Sequence, residues 1–318
     1  MSGLDAPPAK RQRVEDAPVT RSKLWHDDGS VVLQAEGTQF RIHWSVLSLH
    51  SSFFRDMRSL PQPPDQPSLE GCPIIELPDS STDVKHLLEV LYDPSVPHRP
   101  FRSLPLPFIA SMVRMGRKYE FKNLLAAAVE CLTYENPTTL DAYDKSNLKI
   151  GNIVAYTTTQ IKMKKSLVFD TAVLARENDL LTILPCAYFR LIDFYTQEIL
   201  DGLSATIRLP FPDQRSCILG REKLLKAQWE QHWILSDTRA DGCRSKLNCI
   251  EGRKFCRDWG LKQGVTILSL KPDIADTTLC DLCWTSYSEE MHKGRKELWD
   301  KLPSFFDLPP WNELKNEL

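Results

Sequence analysis

Residues 30–57 constrain the fold more than any other part of the chain. Two β-prone runs, "SVVLQAEG" and "TQFRIH", are separated by a turn signal, "AEGT" at 35–38, which predicts a β-hairpin. "SVLSLHSSFFRDM" follows with apolar residues at near-helical spacing, and Ser45 stands where a helix N-cap is expected. A hairpin that leads directly into an amphipathic helix is typical of a small α+β unit.

Further elements of the same unit extend to about residue 135. After a proline-rich loop, "CPIIELPD" predicts a third strand, and "STDVKHLLEVLYDP" predicts a helix that Ser81 caps and Pro94 ends. "LPFIASMVRMGRKYEF" and "KNLLAAAVECLTYE" predict two more helices from their 3.6-type apolar spacing. We expect ordered structure to begin at Trp25.

Five spaced side chains in this unit resemble the start of a BTB/POZ domain. In that family a strand with "F-x-x-H" leads into an "L-x-x-x-S-x-x-F" stretch, and the matching residues here are Phe40, His43, Leu47, Ser51 and Phe54. "MGRKYEFKNL" is similar to the family's "A-x-K-Y-x-x-x-x-L" segment, with glycine in place of alanine, and a tryptophan follows the histidine as a second departure. The resemblance covers about residues 24 to 135 and implies a short mixed sheet flanked by helices. The chain as a whole looks most like the BTB proteins of mushroom-forming fungi.

His43 has two interpretations. It is a candidate catalytic base only if an activated nucleophile lies nearby, and none is evident in the sequence. The favoured interpretation is structural, with a ring nitrogen that holds a backbone group and fixes the entry into the helix.

The predicted domain organisation has four parts. Residues 1–22 form a disordered basic tail, 23–135 the BTB unit, 136–240 a helical extension and 241–318 a cysteine-containing helical region. Within the extension, two helices are expected to meet near Pro185, and a further helix carries Trp229 and Trp233. The apolar run from Trp299 to Trp311 is expected to pack against preceding helices.

The C-terminal region contains the candidate metal ligands. The chain has nine cysteines, an odd number without a signal peptide, which favours reduced thiols or metal ligands over disulfides. A C-x-x-C pair together with two cysteines that have five residues between them can complete a tetrahedral zinc site; these candidate ligands are Cys243, Cys249, Cys280 and Cys283. Cys256 and His292 are competing ligands. The alternative is that the cysteines are small apolar residues that pack a helical core.

The N-terminal tail carries a compact basic cluster. Lys10, Arg11 and Arg13 follow two prolines in "PPAKRQRVED", which resembles a short nuclear-import signal. The alternative is a solvated basic tail without function. We therefore expect the protein in the nucleus, the cytoplasm or both.

Composition and missing motifs exclude several functions. A formal net charge of −2 gives no reason to expect direct binding of nucleic acid, and no apolar run reaches the length of a membrane span. We find no Gly-rich nucleotide loop, zinc-protease motif, nucleophile elbow or kinase set, so no enzymatic activity is expected.

The resemblance therefore implies a protein–protein interaction module. The BTB unit would self-associate or dock a cullin-type ubiquitin ligase, and the C-terminal region would bind a client protein. The family's hydrophobic-x-Glu contact motif is not cleanly present, because "SLEG" has Ser68 where an apolar residue is expected. The alternative is a nuclear BTB co-regulator that acts on chromatin or transcription proteins.

Overall fold

The computed structural model describes residues 19–61, 65–93, 103–150, 153–203, 208–231, 239–261, 265, 268 and 272–318. The strands are β1 (Thr20–Trp25), β2 (Val31–Ala35), β3 (Thr38–Ile42), β4 (Ser68–Leu69), β5 (Cys72–Glu76), β6 (Asn147–Ile150) and β7 (Ile153–Tyr156). The helices are α1 (Trp44–His50), α2 (Ser52–Ser59), α3 (Ser81–Tyr92), α4 (Leu106–Lys118), α5 (Lys122–Glu135), α6 (Leu140–Lys145), α7 (Leu167–Glu177), α8 (Leu184–Leu191), α9 (Thr196–Asp201), α10 (Phe211–Trp229), α11 (Lys246–Gly260), α12 (Asp281–Asp300) and α13 (Leu302–Phe305).

The described residues form two compact units. The first contains the residues before position 97 together with Lys118–Phe121, and the second contains α4 up to Arg117 and all residues from Lys122 onward. The predicted domain boundaries at 135/136 and 240/241 stay predictions.

The first unit is built on a mixed five-stranded sheet in the order β1-β3-β2-β5-β4. β2 and β3 form the predicted antiparallel hairpin, while β1 pairs with β3 and β5 pairs with β2 in parallel. The hairpin turn consists of Glu36 and Gly37, whose φ angles of 46° and 74° lie in the left-handed region that matches the twist of the strands. Glu36 also accepts hydrogen bonds from the backbone and the hydroxyl of Ser81, at 3.0 and 3.2 Å, so the turn is tied to the start of α3.

The helix predicted after the hairpin is two helices. The chain turns extended at Ser51 (φ −132°, ψ 125°) between α1 and α2. Ser51 caps α2 by accepting a hydrogen bond from the Phe54 amide, whereas Ser45, the predicted cap, lies exposed inside α1. The cap of α3 is likewise Ser80 and not Ser81, because Ser80 Oγ accepts from the Asp83 amide at 3.1 Å.

Ordered structure begins earlier than predicted. The expectation that it starts at Trp25 is wrong, because Thr20, Arg21 and Ser22 already belong to β1. The sequence did not predict this strand, because "TRSKLW" has no alternation of apolar and polar residues. Its pairing is also parallel, with the more distant strand β3, so no hairpin turn marks it. The proposed import residues Lys10, Arg11 and Arg13 lie outside the described residues.

The second unit is mainly helical, as predicted, with two corrections. Pro185 lies in the first turn of α8 and not between two helices. Proline is tolerated there, because the first amides of a helix have no hydrogen-bond acceptor within the helix. The antiparallel pair β6–β7 was not predicted. The helix with Trp229 begins at Phe211 and ends at Trp229, and Trp233 lies outside the described residues.

The C-terminal apolar run packs into this unit, as predicted. Trp299 is buried, and its indole N–H donates to the Thr138 carbonyl at 2.9 Å. Trp311 stacks on Trp299 with ring centroids 5.9 Å apart, and Leu302 and Phe306 are buried beside them in the chain.

Candidate functional site

Four cysteine sulfurs converge in the C-terminal region. The four-cysteine centre consists of Cys243, Cys249, Cys280 and Cys283, whose Sγ atoms all lie within 4.8 Å of one another. Sulfurs bound at about 2.3 Å to a tetrahedral zinc ion are roughly 3.8 Å apart, so the cluster fits such an ion after a small contraction. The four sulfurs can therefore hold a metal ion.

Each sulfur is presented by the start of a helix or by the loop before one. Cys243 lies in the loop that precedes α11, and Cys249 lies in the second turn of α11. Cys280 is the N-cap of α12 and Cys283 lies in its first turn, so the predicted C-x-x-C pair is formed by a helix N-terminus. A helix N-terminus favours thiolates, because its free amides carry partial positive charge.

A glycine allows the two helices to bring these sulfurs together. A Cβ atom at Gly252 in α11 would lie 2.9 Å from the Leu279 side chain and 3.0 Å from the Leu279 backbone nitrogen. The backbone of α11 therefore approaches the residue before Cys280 more closely than any larger side chain permits. The Cys280 amide is thereby placed 3.3 Å from the sulfur of Cys249.

Backbone amides point at three of the four sulfurs. Besides the bond from Cys280 to Cys249, the Ala240 amide bonds Cys283 and the Ser245 amide bonds Cys243. A neutral thiol is a weak acceptor, whereas a thiolate gains strongly from such donors. This arrangement of donors suits anionic sulfur.

Three of the four thiols differ in the direction or size of their pKa shifts. Burial raises the pKa of Cys283 to about 12 and also raises that of Cys249. Burial acts in the same direction on Cys243, but hydrogen bonds from Cys283, Ser245 and the other thiols outweigh it and lower its pKa to about 7. Binding of a metal ion requires all four as thiolates, so it must displace protons from the cluster.

The two competing ligands are not part of the centre. Cys256 is buried about two helical turns beyond Cys249, in the same core cluster as Tyr287, and burial raises its pKa to about 11. His292 lies on α12 near Asp141 and Lys296, with which it lines a separate cavity. Cys256 therefore matches the alternative interpretation of a small apolar core residue.

The five motif residues of the N-terminal unit have structural roles. Phe40, Leu47 and Phe54 are at most 1% exposed and belong to the core. Ser51 is fully buried, and its hydroxyl donates to the Tyr119 carbonyl at 2.5 Å while it caps α2.

His43 is held by side chains and not by the backbone group that the sequence led us to expect. The Tyr92 hydroxyl accepts from the His43 amide at 2.9 Å and lies 2.8 Å from Nδ1, and Nε2 faces Asp28 at 3.2 Å. The bond with His43 lowers the pKa of Asp28. The ring therefore fixes the start of α1 against the end of α3.

The later "RKYEF" segment packs on the motif. The Tyr119 ring stacks on Phe54 with centroids 5.2 Å apart, and its hydroxyl donates to Asp79. Lys118 donates to the same carboxylate at 2.7 Å. Ser51 and Phe54 of the motif thus contact Tyr119 of this segment within the first unit.

The comparison with protein families agrees with this geometry. Residues 24–136 match the family model of the BTB/POZ domain. This part of the chain is a BTB domain. The match runs from the first unit through α4 and α5, and a mainly helical region follows it. No curated protein matched the chain.

A BTB domain is an interaction module and typically has no enzymatic activity. Nothing in the described ranges indicates catalysis, and there the His43 ring lies against Tyr92, Asp28 and the His26 ring. None of the helices in the described ranges combines the length and the apolar character that crossing a bilayer requires.

Proposed function

We propose that the protein is an interaction adaptor. Its BTB domain would bind a second copy or a docking protein, and its C-terminal region would bind a client. The supporting observation is the BTB domain itself, whose five-stranded sheet and buried motif residues form a compact platform. On this platform α1 carries an exposed leucine, Leu49, with 72% of its surface accessible.

The more specific proposal is a substrate receptor of a cullin-type ubiquitin ligase. The sequence departs from the family's contact motif at Ser68, which lies in β4. The glutamate of that segment, Glu70, is also engaged by Arg21 at 2.7 Å and Arg41 at 2.8 Å. A docking surface centred on Leu49 would not depend on this carboxylate.

The second candidate is a nuclear co-regulator that assembles on chromatin or transcription proteins. The basic cluster Lys10, Arg11 and Arg13 favours it over a purely cytoplasmic role. Either function is consistent with the likeness of the sequence to BTB proteins of mushroom-forming fungi, which stays a prediction.

The test of both candidates is an affinity pull-down of the full chain from native extract, with bound proteins identified by mass spectrometry. The variant Leu49→Asp places a charge on the exposed face of α1. Its matched control is Leu247→Asp, since Leu247 is 80% exposed on α11 outside the BTB domain. We expect Leu49→Asp to remove docking proteins or copies of the chain, and Leu247→Asp to retain them.

The identity of the lost proteins separates the candidates. Loss of a cullin and its ring-finger partner supports the ligase receptor, and loss of nuclear co-regulators supports the second candidate. A bound set that is the same for wild type and Leu49→Asp would contradict docking through this face.

We also propose that the four-cysteine centre binds one zinc ion with a structural role. Four protein ligands fill a tetrahedral shell and leave no open position for chemistry, and the three backbone donors favour thiolates.

Metal analysis of the full chain purified without chelator should find about one zinc per chain. Cys249→Ser should lose the ion, whereas Cys256→Ser, the same change on the same helix, should keep it. Absence of zinc from the wild type would refute the site.

A further inference from the structure

We infer that the metal ion determines the folding of one part of the C-terminal region: α11 and the first half of α12 are ordered only when the four-cysteine centre is loaded. The second half of α12 and the β-sheet of the BTB domain keep their structure without the ion. This inference rests on the proposed zinc site and adds to it a metal-dependent folding unit with defined ends.

The core that joins α11 to α12 is poor in hydrocarbon. Its members are Cys249, Cys256, Leu279, Cys283, Tyr287 and Met291, with Ala240, Cys243, Leu261, Cys280 and Trp284 packed against them. Five of these eleven residues are cysteines, and four of the five are the candidate ligands. Without an ion almost half of this core is small thiols, which bury little apolar surface.

The buried face of α11 shows the same deficit. It consists of Cys249, Gly252, Arg253, Cys256 and Trp259. Only the tryptophan is a large apolar residue, and the helix has no side-chain N-cap bond at Ser245. A helix of 15 residues is marginal in water unless packing stabilises it, so α11 requires another source of stability.

A buried charge on this face makes the deficit larger. The Arg253 side chain is 1% exposed, and its nearest carboxylate, Glu290, is 3.7 Å away. Among the described residues none of its three guanidinium nitrogens has a hydrogen-bond partner, and the Tyr287 ring centroid lies 5.2 Å from its Cζ atom. Burial of a cation with so little compensation opposes folding of the segment.

A metal ion supplies what the apolar contacts do not. It joins the loop at Cys243 and helix α11 at Cys249 to the N-terminus of α12 at Cys280 and Cys283. When a site forms only in the folded state, the free energy of metal binding becomes free energy of folding. The ion would therefore order α11 and the part of α12 up to Met291, together with the loop at Cys243.

The second half of α12 has anchors that do not involve the ion. Arg295 donates to Asp144 at 2.9 Å and to the Leu268 carbonyl at 2.9 Å. Trp299 donates to Thr138 and stacks on Trp311. The first half of α12 would therefore depend on the metal ion for its order, whereas the second half is held by contacts with α6, Thr138 and Trp311.

The test is hydrogen exchange of the full chain, read by mass spectrometry with and without chelation of the ion. After chelation we expect the amides of 246–260 and 281–291 to exchange at rates near those of an unfolded chain. The amides of 294–300, in the same helix, and those of 31–42 in the BTB hairpin should keep their protection. Readdition of Zn²⁺ should restore the first group.

The same samples are analysed for zinc, which separates the two ideas. A wild-type chain that contains no zinc refutes the proposed site. A chain that binds zinc, releases it to the chelator and retains protection at 246–260 refutes this inference while the site stands. Cys249→Ser should show the hydrogen-exchange pattern of the chelated chain, and Cys256→Ser that of the zinc-loaded chain. If Cys256→Ser binds zinc but exchanges freely at 246–260, core packing and not the ion determines the folding of this segment.

Discussion

Ser51 joins two parts of the BTB domain through one hydroxyl group. It accepts from the Phe54 amide at 3.1 Å and donates to the Tyr119 carbonyl at 2.5 Å, and it has no exposure to solvent. One side chain thereby starts α2 and holds the segment before α5, which lies 68 residues further along the chain. A buried group with two partners of this kind is costly to remove, because both partners lose their hydrogen bond.

We predict that Ser51→Ala lowers the free energy of unfolding by about 1–3 kcal/mol, since it removes a helix cap and leaves a buried carbonyl without its donor. Ser45→Ala, an exposed serine in α1, should change it by less than about 0.5 kcal/mol. Urea denaturation followed by circular dichroism measures both values. Equal effects of the two changes would show that the Ser51 hydroxyl has no special role.

Arg253 leads to the opposite expectation for a buried polar group. Among the described residues its guanidinium has Glu290 at 3.7 Å and the Tyr287 ring centroid at 5.2 Å but no hydrogen bond, so Arg253→Met should leave the melting temperature unchanged or raise it. Glu290→Gln should lower the melting temperature, because the buried cation then loses its counter-charge. Thermal denaturation of the zinc-loaded chain compares the two. A clear loss of stability in Arg253→Met would mean that the ion pair is net favourable.

The four candidate ligands could be predicted from the sequence, but their surroundings could not. The C-x-x-C spacing of Cys280 and Cys283 indicates a metal pair by itself, and the odd cysteine count indicates free thiols. The amides of Ala240 and Ser245 carry no signal in their side chains, since any residue can donate a backbone N–H. Cys249 and Cys256 are seven residues apart on the same face of α11, so the choice between them depends on where along α11 the start of α12 packs, which spacing does not fix.

At the scale of elements, Glu135 ends α5 and fixes the segment that follows β7. One of its carboxylate oxygens accepts from the Thr159 amide at 2.8 Å and the Gln160 amide at 2.6 Å, and the residue is 1% exposed. Its own carbonyl accepts a bond from Arg190 of α8. One helix terminus therefore holds two other elements in place.

Glu135→Ala should lower the free energy of unfolding by about 1–3 kcal/mol, because two part-buried amides lose the acceptor that a buried carboxylate provides. Glu130→Ala removes an exposed carboxylate from the same helix and should be close to neutral. Chemical denaturation measures both. A neutral Glu135→Ala would show that water replaces the carboxylate.

Local patterns determined which elements could be predicted. The β2–β3 hairpin and α3 to α5 have clear periodicity of their own, so both type and position were predicted. The break at Ser51 was missed because "HSSF" has no proline or glycine, and the break depends on the distant Tyr119 carbonyl. Strand β1 was missed because its parallel pairing with β3 has no local signature.

For the whole molecule, the division into two units predicts unfolding in more than one step. Only the second unit contains the four-cysteine centre, so chelation should lower the temperature of one transition and leave another in place. Differential scanning calorimetry of the full chain with and without chelator measures this. A single transition that shifts as a whole would show that the two units unfold together.

The edges of the BTB sheet have a consequence for solubility. One edge is the two-residue strand β4. The other edge is β1, in which Arg21 and Lys23 are exposed to solvent. Short edges and edge cations both disfavour the addition of further strands. We therefore expect this sheet to disfavour strand-by-strand aggregation of copies of the chain.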